Sequence, residues 1–370
     1  MSLLAANPVA KPPAPAFAPK TGAHKLVSLT LQPRSGERML ELCRRFALQL
    51  RERSASPLHL LVFGNCQASR GFSEALRGVF GRVDWPITWV QGSACDGGPI
   101  AGLQAHAFTG RIDRIVFEGR IVGSIFADGG ARQCLVGGIL PENLTLAHPE
   151  QTQRALETVQ AILGEAGFDF ADVIRTWFFL DRILDWYGEF NAARSKIYSG
   201  LKFRTGSLPA STGVGGRNPA GAALTMAAWA FRPSGKSSYA EEAASPLQCP
   251  APAYGSSFSR AMETSSNTGR RLFISGTASI APEGQTLWLG DVRKQVELTM
   301  EVVAAILRSR NFSFADLSRA TAYFRNAADA QVFGDWLATR ELTGLPVVTA
   351  QCDVCRDDLL FELEAEAERG

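Results

Sequence analysis

Two periodicities alternate along the chain. Apolar residues recur at three- and four-residue spacing in QTQRALETVQAILGEAG (151–167) and in QVELTMEVVAAILRSRN (295–311), which predicts two amphipathic helices. Ahead of each lies an apolar run ending in a glycine turn, CLVGGIL (134–140) and LFISGTASI (272–280), and behind each an apolar strand, TWFFL (176–180) and TAYF (321–324). A second helix then carries an aromatic-Gly-acid-aromatic group, Tyr187-Gly188-Glu189-Phe190 and Phe333-Gly334-Asp335-Trp336, and two strands close each segment. In Phe361-Glu362-Leu363-Glu364-Ala365-Glu366-Ala367 strict alternation puts the apolar residues on one face and the three glutamates on the other. The apolar face is expected against the helices, and the acid face toward an interior between units or toward solvent.

These segments are copies of one another. Phe168, Phe170, Ala171, Asp172 and Arg175 recur as Phe312, Phe314, Ala315, Asp316 and Arg319 at a constant offset of 144, as does Gln151 with Gln295. The order strand, strand, helix, strand, helix, strand, strand is written twice, and residues 26–110 repeat it more faintly with the opening hairpin short or lost. The expected organisation is a flexible Pro/Ala-rich tail at 1–25, a degenerate unit at 26–110, a second unit at 111–232, a Pro/Ser-rich linker at 233–257 and a C-terminal unit at 258–370. Each unit is a sheet with helices on one face, so its other face needs a partner, and three such units predict a closed pseudo-threefold arrangement.

Composition narrows the function classes. Of 370 residues 46% are apolar, and 38 basic against 36 acidic side chains leave a net charge of +2. That balance gives no footprint for nucleic acid or an anionic membrane. No apolar run is long enough to span a bilayer, and the N-terminus lacks the apolar stretch of a signal peptide. The seven cysteines are odd in number and scattered, as in a reducing compartment, so the cytoplasm is the expected location. Cys352 and Cys355 form a single CxxC, read as lying on a strand with the two thiols on opposite faces and the histidines remote, so no metal site is expected. GVGG (213–216) has no helix pattern after it, so no nicotinamide cofactor is implied, and none of another kind.

Among the polar residues, Arg217 in the glycine turn Gly215-Gly216-Arg217, Arg194 on one helix face with Tyr187, and Arg325 after TAYF are candidates to clamp an anion. Gly276, Thr277 and Ala278 form a small-residue turn that a ring can approach. Arg175 and Arg319 recur in both repeats, which points to a structural role, since a unique site does not need the residue twice.

The layout of the units, closing in a strand of the form Phe361-Glu362-Leu363-Glu364, resembles the YjgF/RidA family, whose members are trimers with ligand sites between subunits. RTWFFLDRILDWYGEFNAAR (175–194), LPASTGVGGRNPAGAALTMAAWAF (208–231), SGTASI (275–280) and CDVCRDDLLFELE (352–364) resemble the chorismatases, which cleave chorismate to pyruvate and a cyclohexadiene or benzoate acid. The resemblance implies an α+β fold of repeated chorismate-mutase-like units, each a mixed sheet with two helices on one face, joined as a pseudo-trimer in one chain. It also implies an enzyme that takes chorismate and is a monomer by virtue of its internal trimer. The site is expected in the C-terminal unit, walled by the second. Glu362 would protonate the enol ether, Arg217, Arg194, Tyr187, Arg325, Gly216, Gly276, Thr277 and Ala278 would bind substrate, and Cys355 would face the ring. Cysteine at position 355 resembles the hydroxybenzoate formers, so 3-hydroxybenzoate is favoured, alone or with 4-hydroxybenzoate. Hydrolysis to a dihydroxycyclohexadiene acid is the alternative, and a non-catalytic binder of a small anionic metabolite the rival from another class. The Pro-x-Arg clamp of the imine deaminases is absent after Pro209 and Pro346.

Overall fold

The computed structural model describes residues 24–235 and 237–370, so nearly all of the tail read at 1–25 lies outside the described residues. The first unit runs β1 (Leu26–Leu31), α1 (Met39–Glu52), β2 (Ser56–Gly64), α2 (Ser69–Phe80), β3 (Ile87–Val90), β4 (Ser93–Ala94) and β5 (Ile100–Phe108). The second comprises β6 (Asp113–Phe117), β7 (Arg120–Asp128), β8 (Ala131–Ile139), α3 (His148–Glu165), β9 (Val173–Leu180), α4 (Ile183–Tyr198), β10 (Ala210–Gly215) and β11 (Leu224–Pro233). The third comprises β12 (Tyr239–Ala243), β13 (Ala261–Ser266), β14 (Gly269–Ala278), α5 (Val292–Ser309), β15 (Leu317–Phe324), α6 (Ala330–Thr339), β16 (Val347–Gln351) and β17 (Phe361–Arg369).

The sheets superpose by topology. The second has strand order β10-β9-β11-β8-β7-β6 and the third β16-β15-β17-β14-β13-β12, extended at its β16 edge by β4 of the first unit; the first sheet, β3-β2-β5-β1, lacks the outer hairpin. In each, the strands on either side of the second helix pair in parallel, as a helical crossover requires. The fold is therefore α+β, three related units in one chain. One boundary is corrected. The segment read as a linker, 233–257, supplies β12, which pairs with β13 from Tyr239↔Ser265 to Ala243↔Ala261, and a short 3-10 turn at Ala251–Tyr254. The alternation Tyr-Ala-Glu-Glu-Ala is too short to stand out from the surrounding Pro and Ser.

Each sheet buries one face under its own two helices, and the opposite faces meet. That central cluster draws residues from all three sheets, with Phe63, Phe179 and Tyr323 touching ring to ring at 6.0 and 5.9 Å. These three occupy the same place in β2, β9 and β15, opposite Gly102, Thr225 and Glu362 respectively. Two residues further, Leu61, Trp177 and Thr321 face Gln104, Ala227 and Glu364. Only the third sheet carries carboxylates at these inward positions.

Candidate active site

The site lies where β10 of the second sheet meets β14 of the third. Ser211 N–H donates to Ser275 Oγ (2.8 Å), whose hydroxyl donates to Ser259 O (2.6 Å), tying the two edges together. Against β17 the register of β14 slips between Ile274 and Thr277; this bulge turns Gly276 out of the ladder and toward Glu362. A Cβ on Gly276 would stand 2.0 Å from Glu362 Oε1, so only glycine admits the carboxyl there. Gly276 N–H donates to Thr212 Oγ1 (3.1 Å). The resulting crevice, counted out into its solvent-open mouth, spans about 530 Å³.

Of the four glutamates of β17, Glu362, Glu364 and Glu366 are buried, yet they are not equivalent. Glu366 accepts from Arg319 (2.8 Å), Arg271 (3.1 Å) and the Nε2 hydrogen of His106 (2.9 Å). Glu364 accepts from Arg175 (2.6 Å), Arg319 (2.8 Å) and Thr212 Oγ1 (2.6 Å). Burial alone would raise both carboxyls; the cations beside them prevail and hold both below the ordinary carboxylate range. Glu362 makes no side-chain hydrogen bond among the described residues. Burial, reinforced by the negative charge of Glu364, raises its pKa to about 8 against the pull of Arg175 and Arg260. One strand thus presents two fixed anions and one neutral acid at pH 7.

Cations face that acid across the crevice. Arg194, on α4 with Tyr187, is 2% exposed and bonds only Asn191 Oδ1 (2.6 Å) and Ser211 Oγ (3.4 Å), leaving its buried Nε without a partner. Arg260 is 3% exposed, donates from Nε to Cys249 O (3.0 Å) and leaves a buried Nη2 without a partner. Neither has a carboxylate within ion-pair distance among the described residues. Buried guanidiniums are stable when paired, so two unpaired ones beside a cavity mark a place for an anion. The ring of Tyr254 lies against Arg260 and Arg356 (5.3 and 5.6 Å), and Arg356 also lines the crevice. Cys355 faces the crevice beside the Tyr187 hydroxyl, and burial pushes its thiol up to about 12, so it is present as a thiol.

Of the residues expected from sequence, Glu362, Cys355, Arg194, Tyr187, Gly276 and Ala278 line the crevice. Four do not. Arg217 points into solvent with its side chain 68% exposed, 3.5 Å from Asp181, because a Cβ at Gly216 would meet Val90 and the turn packs on the first unit. Gly216 is accordingly a packing glycine. Arg325 caps the Asp357 carbonyl at the surface. Thr277, opposite Leu363 on the helix side of the sheet, bonds Ser275 O. The CxxC segment is not a strand either: β16 ends at Gln351, residues 352–354 form a loop, and Cys352 packs into the central core. Arg260, Tyr254, Ser256, Phe258 and Arg356 were missed. The first four sit in or beside the supposed linker, where the constant 144-residue offset no longer runs and nothing in the pattern flags them.

Three related sheets closed face to face, with this crevice at one joint, define a concatenated trimer of one α+β unit. The chain belongs to the endoribonuclease L-PSP family, whose model matches residues 133–223 and 250–369. It is similar to a 3-hydroxybenzoate synthase of Streptomyces hygroscopicus, 26% identical over 269 residues that cover 65% of this chain and 75% of that protein. A chorismatase of Streptomyces rapamycinicus is 25% identical over 224 residues, 55% of this chain and 65% of that protein. A chorismatase crystal structure shares the fold over 94% of this chain and all of its own, with a TM-score of 0.66 at 18% identity.

Proposed function

We propose that this chain is a chorismatase, cleaving chorismate to pyruvate and a hydroxybenzoate, with 3-hydroxybenzoate the favoured product. What carries the reading is the conjunction in one crevice of a carboxyl still protonated at pH 7 and two buried guanidiniums without counter-ions. Chorismate needs both: cations for its two carboxylates and one acid for its enol ether. Arg194 and Arg260, with Arg356 at the rim, supply the first, and Glu362 the second. Its proton adds to the terminal methylene carbon, the enol π pair forming the new C–H bond, and leaves an oxocarbenium carbon. Attack by the neighbouring ring hydroxyl on that carbon, its proton returning to Glu362, gives a cyclic ketal. The ring C–O bond of the former hydroxyl then breaks, the proton on the ring carbon that bears the ether oxygen is lost, and the remaining hemiketal collapses, so that pyruvate leaves with the hydroxyl oxygen, 3-hydroxybenzoate keeps the ether oxygen, and no water is consumed. Attack by water instead gives pyruvate and the dihydroxycyclohexadiene acid.

The neutral Cys355 thiol and the Tyr187 ring sit where they can keep water from the ring, which supports aromatisation, as does the similarity to a 3-hydroxybenzoate synthase. Pyruvate release from chorismate by the purified chain tests the reading. The wild type is expected to turn over and Glu362→Gln to lose roughly 100- to 10,000-fold in kcat. Because the acid form is the active one, kcat/KM should be level below pH 8 and fall as pH rises through about 8. Absence of pyruvate from the wild type overturns the proposal. Chromatography of the aromatic product reports the branch, and Cys355→Ala is expected to shift it toward the dihydroxycyclohexadiene acid.

A further inference from the structure

We infer that Glu364, a residue that touches no part of the crevice, is a positioning residue whose fixed negative charge keeps the proton on Glu362, with Arg175 acting in the opposite sense. The inference rests on Glu362 being the acid of the reaction. Glu362 and Glu364 occupy successive same-face positions of β17, about 7 Å apart along the strand, and both are buried, where charges are screened less than at the surface. Glu364 is fixed as the anion by donors that include Arg175, Arg319, Thr212 and Thr321, of which Thr212 also receives the N–H of Gly276, the residue packed on the Glu362 carboxyl. Charge and geometry therefore reach Glu362 through one hydroxyl.

The sister strands give an independent observation. The positions equivalent to Glu362 and Glu364 are Thr225 and Ala227 in β11, and Gly102 and Gln104 in β5. Arg175 recurs as Arg319 in the second and third units, yet a buried anion stands at this inward position only beside the acid. The other groups facing Glu362 are Arg194 and Tyr187 from α4, Arg260 ahead of β13, Cys355 and Arg356 from the loop before β17, and the buried Tyr323 opposite it on β15. Arg175 comes from β9. All the cations favour the deprotonated form, and among the described residues Glu364 is the fixed negative charge set against them.

Two substitutions of opposite charge separate this from a structural role. In the full chain, Glu364→Gln is expected to move the alkaline limb of the kcat/KM profile down by about one pH unit, and Arg175→Gln to move it up by a similar amount. Simple loosening of the site would lower activity without shifting the limb, or shift both variants the same way. Difference infrared spectra against Glu362→Gln follow the protonated carboxyl directly, without turnover, and its midpoint should move as the limb does. Unmoved midpoints in both variants, with the wild type active and Glu362→Gln inactive, overturn the role of Glu364 while leaving the acid in place. Midpoints that shift as expected in a protein that releases no pyruvate uphold the coupling and remove the donor reading. If Glu364→Gln does not fold, Arg175→Gln alone decides, an unmoved midpoint counting against the proposal.

Discussion

Glu362, Glu364 and Glu366 share one residue type, one strand and one face, and differ only in what touches them. Two carboxylates ringed by arginines are anions whatever the solvent pH near neutrality, whereas the third, in contact with a glycine and a cavity, stays protonated. Gly276 makes this possible by leaving room. Gly276→Ala would drive a methyl into Glu362 Oε1, and the displaced carboxyl would lose its alignment with the substrate. The expected result is a loss of roughly 100-fold in kcat with little change in thermal midpoint, checked by steady-state kinetics beside a melting curve.

At the scale of elements, the recurring Phe-x-Phe-Ala-Asp segment proves to be a 3-10 turn that launches a strand. Asp172 accepts from the Asp169 backbone, Arg204 and Arg232, and Asp316 from the Ser313 backbone and Arg369. Asp172→Ala would remove the buried carboxylate that holds the turn closed on the Asp169 backbone, and is expected to cost about 1–2 kcal/mol of stability in denaturant unfolding while leaving the pH profile of turnover unmoved. This turn is what made the repeat readable, because a turn fixed by one carboxylate demands the same residues at the same spacing wherever it occurs. The helices and the acid face of β17 were readable for a similar reason: periodicity reports burial. Arg260 and Tyr254 were not, since they reach the site from a joint between units, and nothing in a strand's own pattern records what its edge will meet. Arg217 failed in the opposite way. The resemblance of its glycine turn implied a place in the site, but that turn packs on Val90 and Gln91 of the distant first unit and on Asp353 of the third, which leaves the Arg217 side chain outside.

The three units meet at three joints, and among the described residues the crevice with its acid and bare guanidiniums occupies one of them. At the position equivalent to Glu362, a Cβ on Gly102 would lie 2.5 Å from a Val348 methyl, so the joint between first and third sheets is filled. At the position equivalent to Gly276, one on Gly138 would lie 2.4 Å from Ile87 O, so the joint between first and second sheets is filled as well. Gly102→Ala is therefore expected to destabilise the chain by about 1–3 kcal/mol, seen as a lower thermal midpoint, while the distribution of products from chorismate stays as in the wild type. The filled joints bear on how such a chain can change. In a symmetric assembly of identical subunits every substitution is made three times over, so a buried acid and bare guanidiniums would weaken all three contacts together. Concatenation breaks that symmetry: one joint can hold groups that oppose folding while the other two, packed to contact, keep the ring shut around it.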